Sequence, residues 1–166
     1  MRFSGVSGRG FDWWMPDPLP GADFTVEAFD PNKPRLLQFV HEGKKLSGFL
    51  RLQGDEKGPL QVRLERWGTL TGRLIALEGK PVTRLRTACY PTEKYQGEFM
   101  YDPFQRVQPD ANGRFRIDGL APGLKYDLWV FDGNNHLEIV GGRPKELTFQ
   151  AGEMKDLGEV QFKPRE

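Results

Sequence analysis

Short runs in which apolar and polar residues alternate dominate the hydrophobic pattern of this chain of 166 residues. Phe24, Val26 and Ala28 alternate with polar neighbours, and residues 60–64 show the same pattern. Strict alternation is typical of β-strands that bury one face, and no segment keeps helical spacing over the length of an ordinary helix. The pattern predicts further strands near residues 35–40, 46–52, 69–77, 84–90, 114–118, 125–131, 137–140, 145–149 and 158–162.

Turn-forming residues separate the predicted strands. In residues 110–113 the Asn and Gly tolerate positive φ, and the side chain of Asp110 can accept hydrogen bonds from nearby backbone amides. Pro122 fixes φ and Gly123 follows it, so the chain can reverse direction before the next strand. These signals predict an all-β fold, specifically an antiparallel β-sandwich with Greek-key character.

The chain contains an internal repeat with a long period. Residues 20–30 align without a gap with residues 122–132, sharing Pro-Gly at the start and Phe-Asp at the end. Residues 54–64 align in the same way with residues 152–162. A repeating unit of about one hundred residues matches the size of one β-sandwich and exceeds the shorter units of solenoids and propellers. The repeat therefore predicts tandem domains.

The repeat and the strand pattern together divide the chain into three parts. Residues 1–22 are expected to be an irregular segment rich in Gly, Pro and Trp, residues 23–66 a partial β repeat equivalent to the second half of a sandwich unit, and residues 67–163 a complete unit. A half sandwich leaves an apolar face and unpaired strand edges. We therefore expect the partial repeat to pack on the complete unit of the same chain, with a homodimer as the alternative.

Composition excludes several classes of partner. The 24 basic and 23 acidic residues leave a formal net charge of +1, which predicts neither nucleic-acid binding nor attraction to a membrane. No window approaches the ~18 consecutive apolar residues of a membrane span, and the N-terminus lacks the pattern of a secretory signal. The single cysteine, Cys89, excludes an internal disulfide. The compartment stays open, although a bacterial, extracytoplasmic or cell-envelope location is favoured if the chain is a fragment of an exported protein.

Three segments of the complete unit resemble carboxypeptidase regulatory-like domains. They are residues 68–82, similar to the family's opening strand and hairpin; residues 110–126, similar to its central motif; and residues 151–158, similar to its last turn and strand. The central segment carries Leu-x-Pro-Gly-x-x-Tyr from Leu120 to Tyr126. The resemblance implies a transthyretin-like (prealbumin-like) sandwich. It implies no activity, because the catalytic zinc site of a carboxypeptidase lies in a separate domain.

Metal binding has little support in the sequence. Asp110 and Asn112 have the spacing that opens a calcium loop, but the sixth and twelfth positions of an EF-type loop would be Phe115 and Ala121 instead of Gly and Glu. The two histidines are isolated from each other and from other ligand residues, which argues against zinc and against the two-Tyr, two-His iron site of intradiol dioxygenases. We expect no metal and no cofactor.

Covalent chemistry has equally little support. A catalytic Ser or Cys needs a base and an orienting group, and Cys89 lies in an alternating strand, where a small buried hydrophobe is the expected role. A spontaneous isopeptide bond would need Asn or Asp in the last strand, and residues 158–162 contain neither. We therefore expect no catalytic residue and no enzyme activity.

Aromatic residues provide the strongest functional signal. Two groups stand in segments predicted to be irregular, one in the Gly/Pro-rich N-terminus and one in the long insertion before Arg114. Loops on a rigid scaffold are where binding residues accumulate, and exposed aromatic rings stack on sugars or pack on protein partners. The competing interpretation is that they cover the open ends of the sandwich. The candidate ligand-binding residues are Trp13, Trp14, Phe99, Tyr101 and Phe104.

Two functions are consistent with these patterns. The leading expectation is a non-catalytic β-sandwich module that acts as a spacer, stabiliser or docking surface for other domains of a larger modular protein. The alternative is a carbohydrate- or peptide-binding module that uses the loop aromatics. Trp67 and Trp129, in contrast, lie at or within predicted strands and are expected to be core or sheet-face residues.

Overall fold

The computed structural model describes residues 2–4, 17–18, 21–23, 35–93 and 106–163. Within these ranges the chain consists of β-strands and their connections, with a single 3-10 turn at Glu42–Lys44. The predicted all-β sandwich class is confirmed. The described ranges contain these strands, in chain order: β1 (Arg2–Ser4), β2 (Asp17–Pro18), β3 (Arg35–His41), β4 (Leu46–Leu52), β5 (Glu65–Arg66), β6 (Gly68–Ile75), β7 (Arg86–Pro91), β8 (Arg114–Leu120), β9 (Tyr126–Asp132), β10 (Asn135–His136) and β11 (Met154–Gln161).

The N-terminal part of the chain forms one antiparallel sheet in the order β2-β1-β3-β4-β5. Its centre is the hairpin of β3 and β4, in which every residue of β3 pairs, from Arg35 opposite Leu52 to His41 opposite Leu46. Two short strands of the segment 1–22, β1 and β2, extend this sheet beyond β3. Apart from residues 21 and 22, the rest of that segment lies outside the described residues, as does the strand predicted at Phe24.

The described residues after β5 form two three-stranded sheets, β11-β6-β8 and β10-β9-β7. All pairs are antiparallel except that of β11 with β6, which is parallel. This pair departs from the antiparallel expectation. A long connection after β10 brings the chain back to the other sheet before β11 begins, so β11 can enter beside β6 in the same direction. A bulge between Asp156 and Glu159 interrupts the pairing.

The two three-stranded sheets share one apolar core. Leu70 and Leu74 of β6 and Ile117 of β8 lie in the same buried cluster as Leu128 and Val130 of β9. Each of these side chains is at most 1% exposed. The burial of alternate residues from two facing sheets is the arrangement of a β-sandwich.

The β3–β4 hairpin packs on this sandwich within the same chain. Leu36 of β3 belongs to the common core cluster. The hydroxyl of Ser47 in β4 donates a hydrogen bond of 3.1 Å to the backbone oxygen of Leu120 in β8. The amide of Trp67 donates another of 3.1 Å to the carbonyl of Lys45. These contacts cover part of the apolar face that an isolated hairpin would leave exposed.

Three predicted strands differ from the structure. Residues 60–64 do not form a strand: Leu60 is 49% exposed, and the carbonyl of Arg63 instead lies close to Gly48 of β4. Residues 137–140 and 145–149 form only isolated bridges, Ile139 with Phe162 and Leu147 with Tyr126. The alternation at these places is real, but a strand also needs a neighbour with free backbone groups in register along its length.

Candidate functional site

The five sequence-predicted ligand-binding residues, Trp13, Trp14, Phe99, Tyr101 and Phe104, lie outside the described residues. The described chain resumes at Arg106, after the insertion that carries the last three of them. On the other side of that insertion, Glu93 forms an ion pair with Arg51 of β4. The structure does place a different group of aromatic residues together, on the sheet that these flanking residues adjoin.

The outer face of β9 carries large side chains that the core does not hold. Tyr126, Leu128 and Val130 point into the core cluster. Because successive side chains of a strand point to opposite faces, Trp129 and Phe131 lie on the outer face. Trp129 is half-buried and Phe131 is 7% exposed, yet neither belongs to the core cluster. The prediction that Trp129 is a core or sheet-face residue is confirmed, because its side chain lies on the outer face of the sheet.

Four aromatic side chains contact one another on this face. The rings of Trp129 and Phe131 are stacked with their centroids 6.4 Å apart and their planes 21° apart. Tyr90 of β7 meets both edge-on, at 6.4 Å from Trp129 and 6.1 Å from Phe131. His136 of β10 meets Trp129 edge-on at 5.3 Å. These distances and angles are those of favourable aromatic pairs.

Two arginines from separate connections lie on the stacked rings. The guanidinium carbon of Arg143 is 3.7 Å from the centroid of the Trp129 ring, and that of Arg106 is 4.0 Å from the centroid of Phe131. A guanidinium over an aromatic face is attracted by the negative potential of the ring. We call the six residues Tyr90, Arg106, Trp129, Phe131, His136 and Arg143 the aromatic–arginine face.

Each guanidinium is held by a second contact. An Nη of Arg143 donates a hydrogen bond of 3.0 Å to a carboxylate oxygen of Asp127, which also lies on the outer face of β9. An Nη of Arg106 donates one of 2.7 Å to the carbonyl of Gly133. The Nε of Arg143 is buried and has no hydrogen-bond acceptor among the described residues. Both guanidinium groups are thus oriented by the protein while N–H donors remain uncommitted within the described part of the chain.

Sequence reasoning missed both arginines. The alternation in β9 was sufficient to place Trp129 and Phe131 on one face, opposite the core residues. No local pattern links Arg106 or Arg143 to those rings, because each arginine reaches its ring from a connection that the periodicity does not describe. Only the packing of the connections on the sheet brings the guanidinium groups onto the rings.

The opposite outer face, formed by β11, β6 and β8, contains a polar cleft of about 700 Å³. Arg114 and Arg116 line its β8 side, and Asp156 and Glu159 line its β11 side. The carboxylate of Glu159 accepts a hydrogen bond of 3.1 Å from Arg73, and that of Asp156 accepts one of 3.1 Å from the amide of Gly158. Acidic groups of this cleft therefore serve local structure.

β11 begins at Met154, earlier than predicted, so the last strand does include an aspartate. Asp156 is exposed, however, and its carboxylate is bonded to the amide of Gly158. An isopeptide bond would need this group buried beside a lysine and an acid.

The hairpin at residues 110–113 has the predicted structural role. The Asp110 carboxylate accepts hydrogen bonds of 2.8 Å from the amides of Asn112 and Arg114. The Asp110 backbone oxygen also accepts one of 2.9 Å from Gly113, which has a φ of +77°. This confirms the prediction that these residues form a tight turn held by the Asp side chain.

Two further groups with potential chemical reactivity, Cys89 and Tyr126, are buried. Cys89 is 2% exposed within the core cluster, which confirms its predicted role as a buried small side chain. Burial raises the pKa of the Tyr126 hydroxyl, whose oxygen accepts a hydrogen bond of 2.8 Å from the amide of Ala121. In the ranges that the structure describes, no group of three His, Cys, Asp or Glu residues is arranged to hold a metal ion.

No protein-family model matches this chain, and a comparison with curated proteins found no match. Across the described residues, no helix has the length and apolar character needed to cross a membrane.

Proposed function

We propose that the chain is a non-catalytic β-sandwich module that docks on a protein partner, or on other domains of a larger modular protein, through the aromatic–arginine face. One observation carries this proposal: four aromatic side chains and two ring-bound arginines gather on the outer face of a sheet. The outer face of a sandwich sheet is ordinarily polar. The same module would also act as a spacer or stabiliser for neighbouring domains, because it is a folded unit with its own core.

The composition of the face suits a binding surface. Tyr, Trp and Arg are the residues most enriched at the energetic centres of protein interfaces. Aromatic rings bring a large contact area with few rotatable bonds, so ordering them on binding costs little entropy. Trp129 and Phe131 are also fixed by each other and by their arginines, which lowers that cost further.

The assignment to carboxypeptidase regulatory-like modules with a transthyretin-like fold remains part of this proposal. It is supported by the Leu-x-Pro-Gly-x-x-Tyr motif, in which the Tyr126 hydroxyl accepts a hydrogen bond from the amide of Ala121. The hairpin at residues 110–113 is further support. A non-catalytic role is supported by the commitment of Asp110 to a turn and of Tyr126 to the core.

The test is a titration of the isotopically labelled chain against a panel of peptides and glycans. Two readouts are combined: amide and indole chemical shifts, and mass spectrometry of the recovered probe. We expect shifts confined to β7, β9 and β10, including the indole of Trp129, and recovery of every probe unchanged. Chemical conversion of a probe would contradict the non-catalytic role. A panel without any response at these strands would contradict docking through this face.

A carbohydrate- or peptide-binding module using Trp13, Trp14, Phe99, Tyr101 and Phe104 is the second candidate. The observation that favours it is the position of the insertion: residues 94–105 join Glu93 to Arg106, whose guanidinium lies on Phe131. The same titration discriminates the two. A neutral oligosaccharide that shifts the indole of Trp129, and loses affinity when Phe99 and Tyr101 are replaced by alanine, would favour glycan binding.

A further inference from the structure

We infer that the aromatic–arginine face recognises an acidic peptide segment, with carboxylates bound by Arg106 and Arg143. This inference rests on the proposed docking function and names the chemistry of the partner. It depends on three features of the face: the orientation of its guanidinium groups, the balance of charge around them, and the covering of its aromatic rings.

The guanidinium groups are already arranged for carboxylates. Arg143 is held by the ring of Trp129 and by Asp127, and Arg106 by the ring of Phe131 and by the carbonyl of Gly133. Arginine presents its N–H donors as a planar fork that matches a carboxylate. Because contacts within the protein fix both planes, a ligand would not have to order them.

The charge around the rings is positive. Arg86 of β7 pairs in register with Phe131, is exposed, and adds a third guanidinium on the same side of the sheet. The acid of β9 on that side is Asp127, which already bonds Arg143. Asp132, in contrast, follows the outward-facing Phe131 and points to the other side of the sheet. Three arginines against one aspartate leave an excess of two positive charges, and that aspartate is committed to an ion pair. The complementary partner is therefore acidic.

The arginines also decide between a peptide and a sugar. A sugar ring binds aromatic residues by stacking on an open ring face. Here one face of Trp129 lies under Arg143 and one face of Phe131 lies under Arg106, and the two rings also stack on each other. A peptide needs no open ring face, since its carboxylates can meet the guanidinium donors while its apolar side chains contact the ring edges.

The experiment compares short capped peptides that differ only in charge. One contains Glu with interspersed Leu, and the matched peptides replace every Glu by Gln or by Lys. Binding is measured by calorimetry and by the chemical shifts of the Trp129 indole and arginine Nε groups. We expect the Glu peptide to bind at least about tenfold more tightly than the Gln peptide, as charge-assisted hydrogen bonds to two arginines require. We expect the preference to shrink with added salt, because this face is partly exposed.

Variants of the full chain locate the effect. Arg106→Gln is expected to lower affinity for the Glu peptide about tenfold, and Arg106→Lys to lower it less, because lysine keeps the charge but loses the fork. The matched control is Arg114→Gln, an exposed arginine of β8 on the opposite sheet, which should change nothing. Should Arg106→Gln fail to fold, two other measurements test whether the guanidinium groups bind the peptide carboxylates. They are the affinity of Arg143→Lys for the Glu peptide and the salt series on the unaltered chain.

The outcomes separate this inference from the docking proposal. Equal binding of the Glu and Gln peptides at the face would overturn the acidic-partner inference and leave docking intact. Tighter binding of an oligogalacturonate than of the Glu peptide would also overturn it, in favour of an anionic glycan. If no probe perturbs the face at all, both proposals fail.

Discussion

The hydroxyl oxygen of Tyr126 lies 2.8 Å from the amide nitrogen of Ala121, five residues earlier in the chain. This bond closes the turn between β8 and β9, in the manner of the tyrosine corner of Greek-key sandwiches. The same hydroxyl lies 3.4 Å from the side-chain oxygen of Gln38 in β3. One fully buried phenol therefore connects the turn, the core and the N-terminal hairpin.

Tyr126→Phe is expected to lower the free energy of unfolding by about 1–3 kcal/mol, because it leaves the buried Ala121 amide without an acceptor. Urea unfolding at neutral pH measures the change. Gln38→Met is the matched control: it removes the longer contact but leaves the Ala121 amide bonded, so it should cost less. An unchanged urea midpoint for Tyr126→Phe would contradict this role.

The stability of the unaltered chain should fall at alkaline pH. Burial raises the pKa of Tyr126 above the ordinary value of 10.0. Above about pH 10 the unfolded state loses the phenol proton while the folded state keeps it, so the unfolded state binds fewer protons and stability decreases as pH rises. Tyr126→Phe should lack this component. Urea unfolding of both chains on either side of pH 10 tests it, and parallel pH profiles would refute it.

Gly72→Ala should destabilise the sandwich by about 1–3 kcal/mol, as overpacking of a core does. A Cβ at Gly72 would stand 2.7 Å from Cζ of Phe115, its cross-strand partner in β8. Phe115→Leu in the Gly72→Ala background should recover part of the loss, which a double-mutant cycle measures. Gly21→Ala is the control, since Gly21 is exposed and a Cβ there meets nothing within 4 Å. Additive effects at positions 72 and 115 would rule out the steric cause.

Asp118→Asn should cause a small, pH-dependent loss of stability. Partial burial opposes ionisation of Asp118, but hydrogen bonds from Arg116 and Thr69 outweigh it and lower the pKa of the carboxyl. The stabilisation is therefore present above the pKa of the unfolded state and disappears as pH falls through the lower folded pKa. The group is partly exposed, so we expect a loss below about 1 kcal/mol at neutral pH.

Thermal unfolding from neutral to acidic pH measures this difference. The two chains should converge in acid, and a constant offset at every pH would show that the charge of Asp118 is not its cause. Asp132→Asn, at an exposed position in β9, serves as the control and should leave neutral-pH stability unchanged.

Local sequence predicted much of the architecture. The alternation in β3, β4, β8 and β9 placed these strands within a few residues of their observed bounds, because each has a neighbour in register along its length. Residues 60–64 show the same alternation and form no strand, since residues 63 and 64 lie against Gly48 of β4 without pairing with a strand. Periodicity reports which face of a segment is apolar. It does not report whether a partner strand is available.

The same distinction between local pattern and tertiary packing applies to the candidate site. Alternation alone determined that Trp129 and Phe131 lie opposite the core residues of β9, and turn chemistry alone determined the hairpin at residues 110–113. Tertiary structure decided that β11 runs parallel to β6 and that Arg106 and Arg143 cover the two rings. These contacts join segments that only the packing of sheets and connections brings together, and no repeating local pattern encodes that packing.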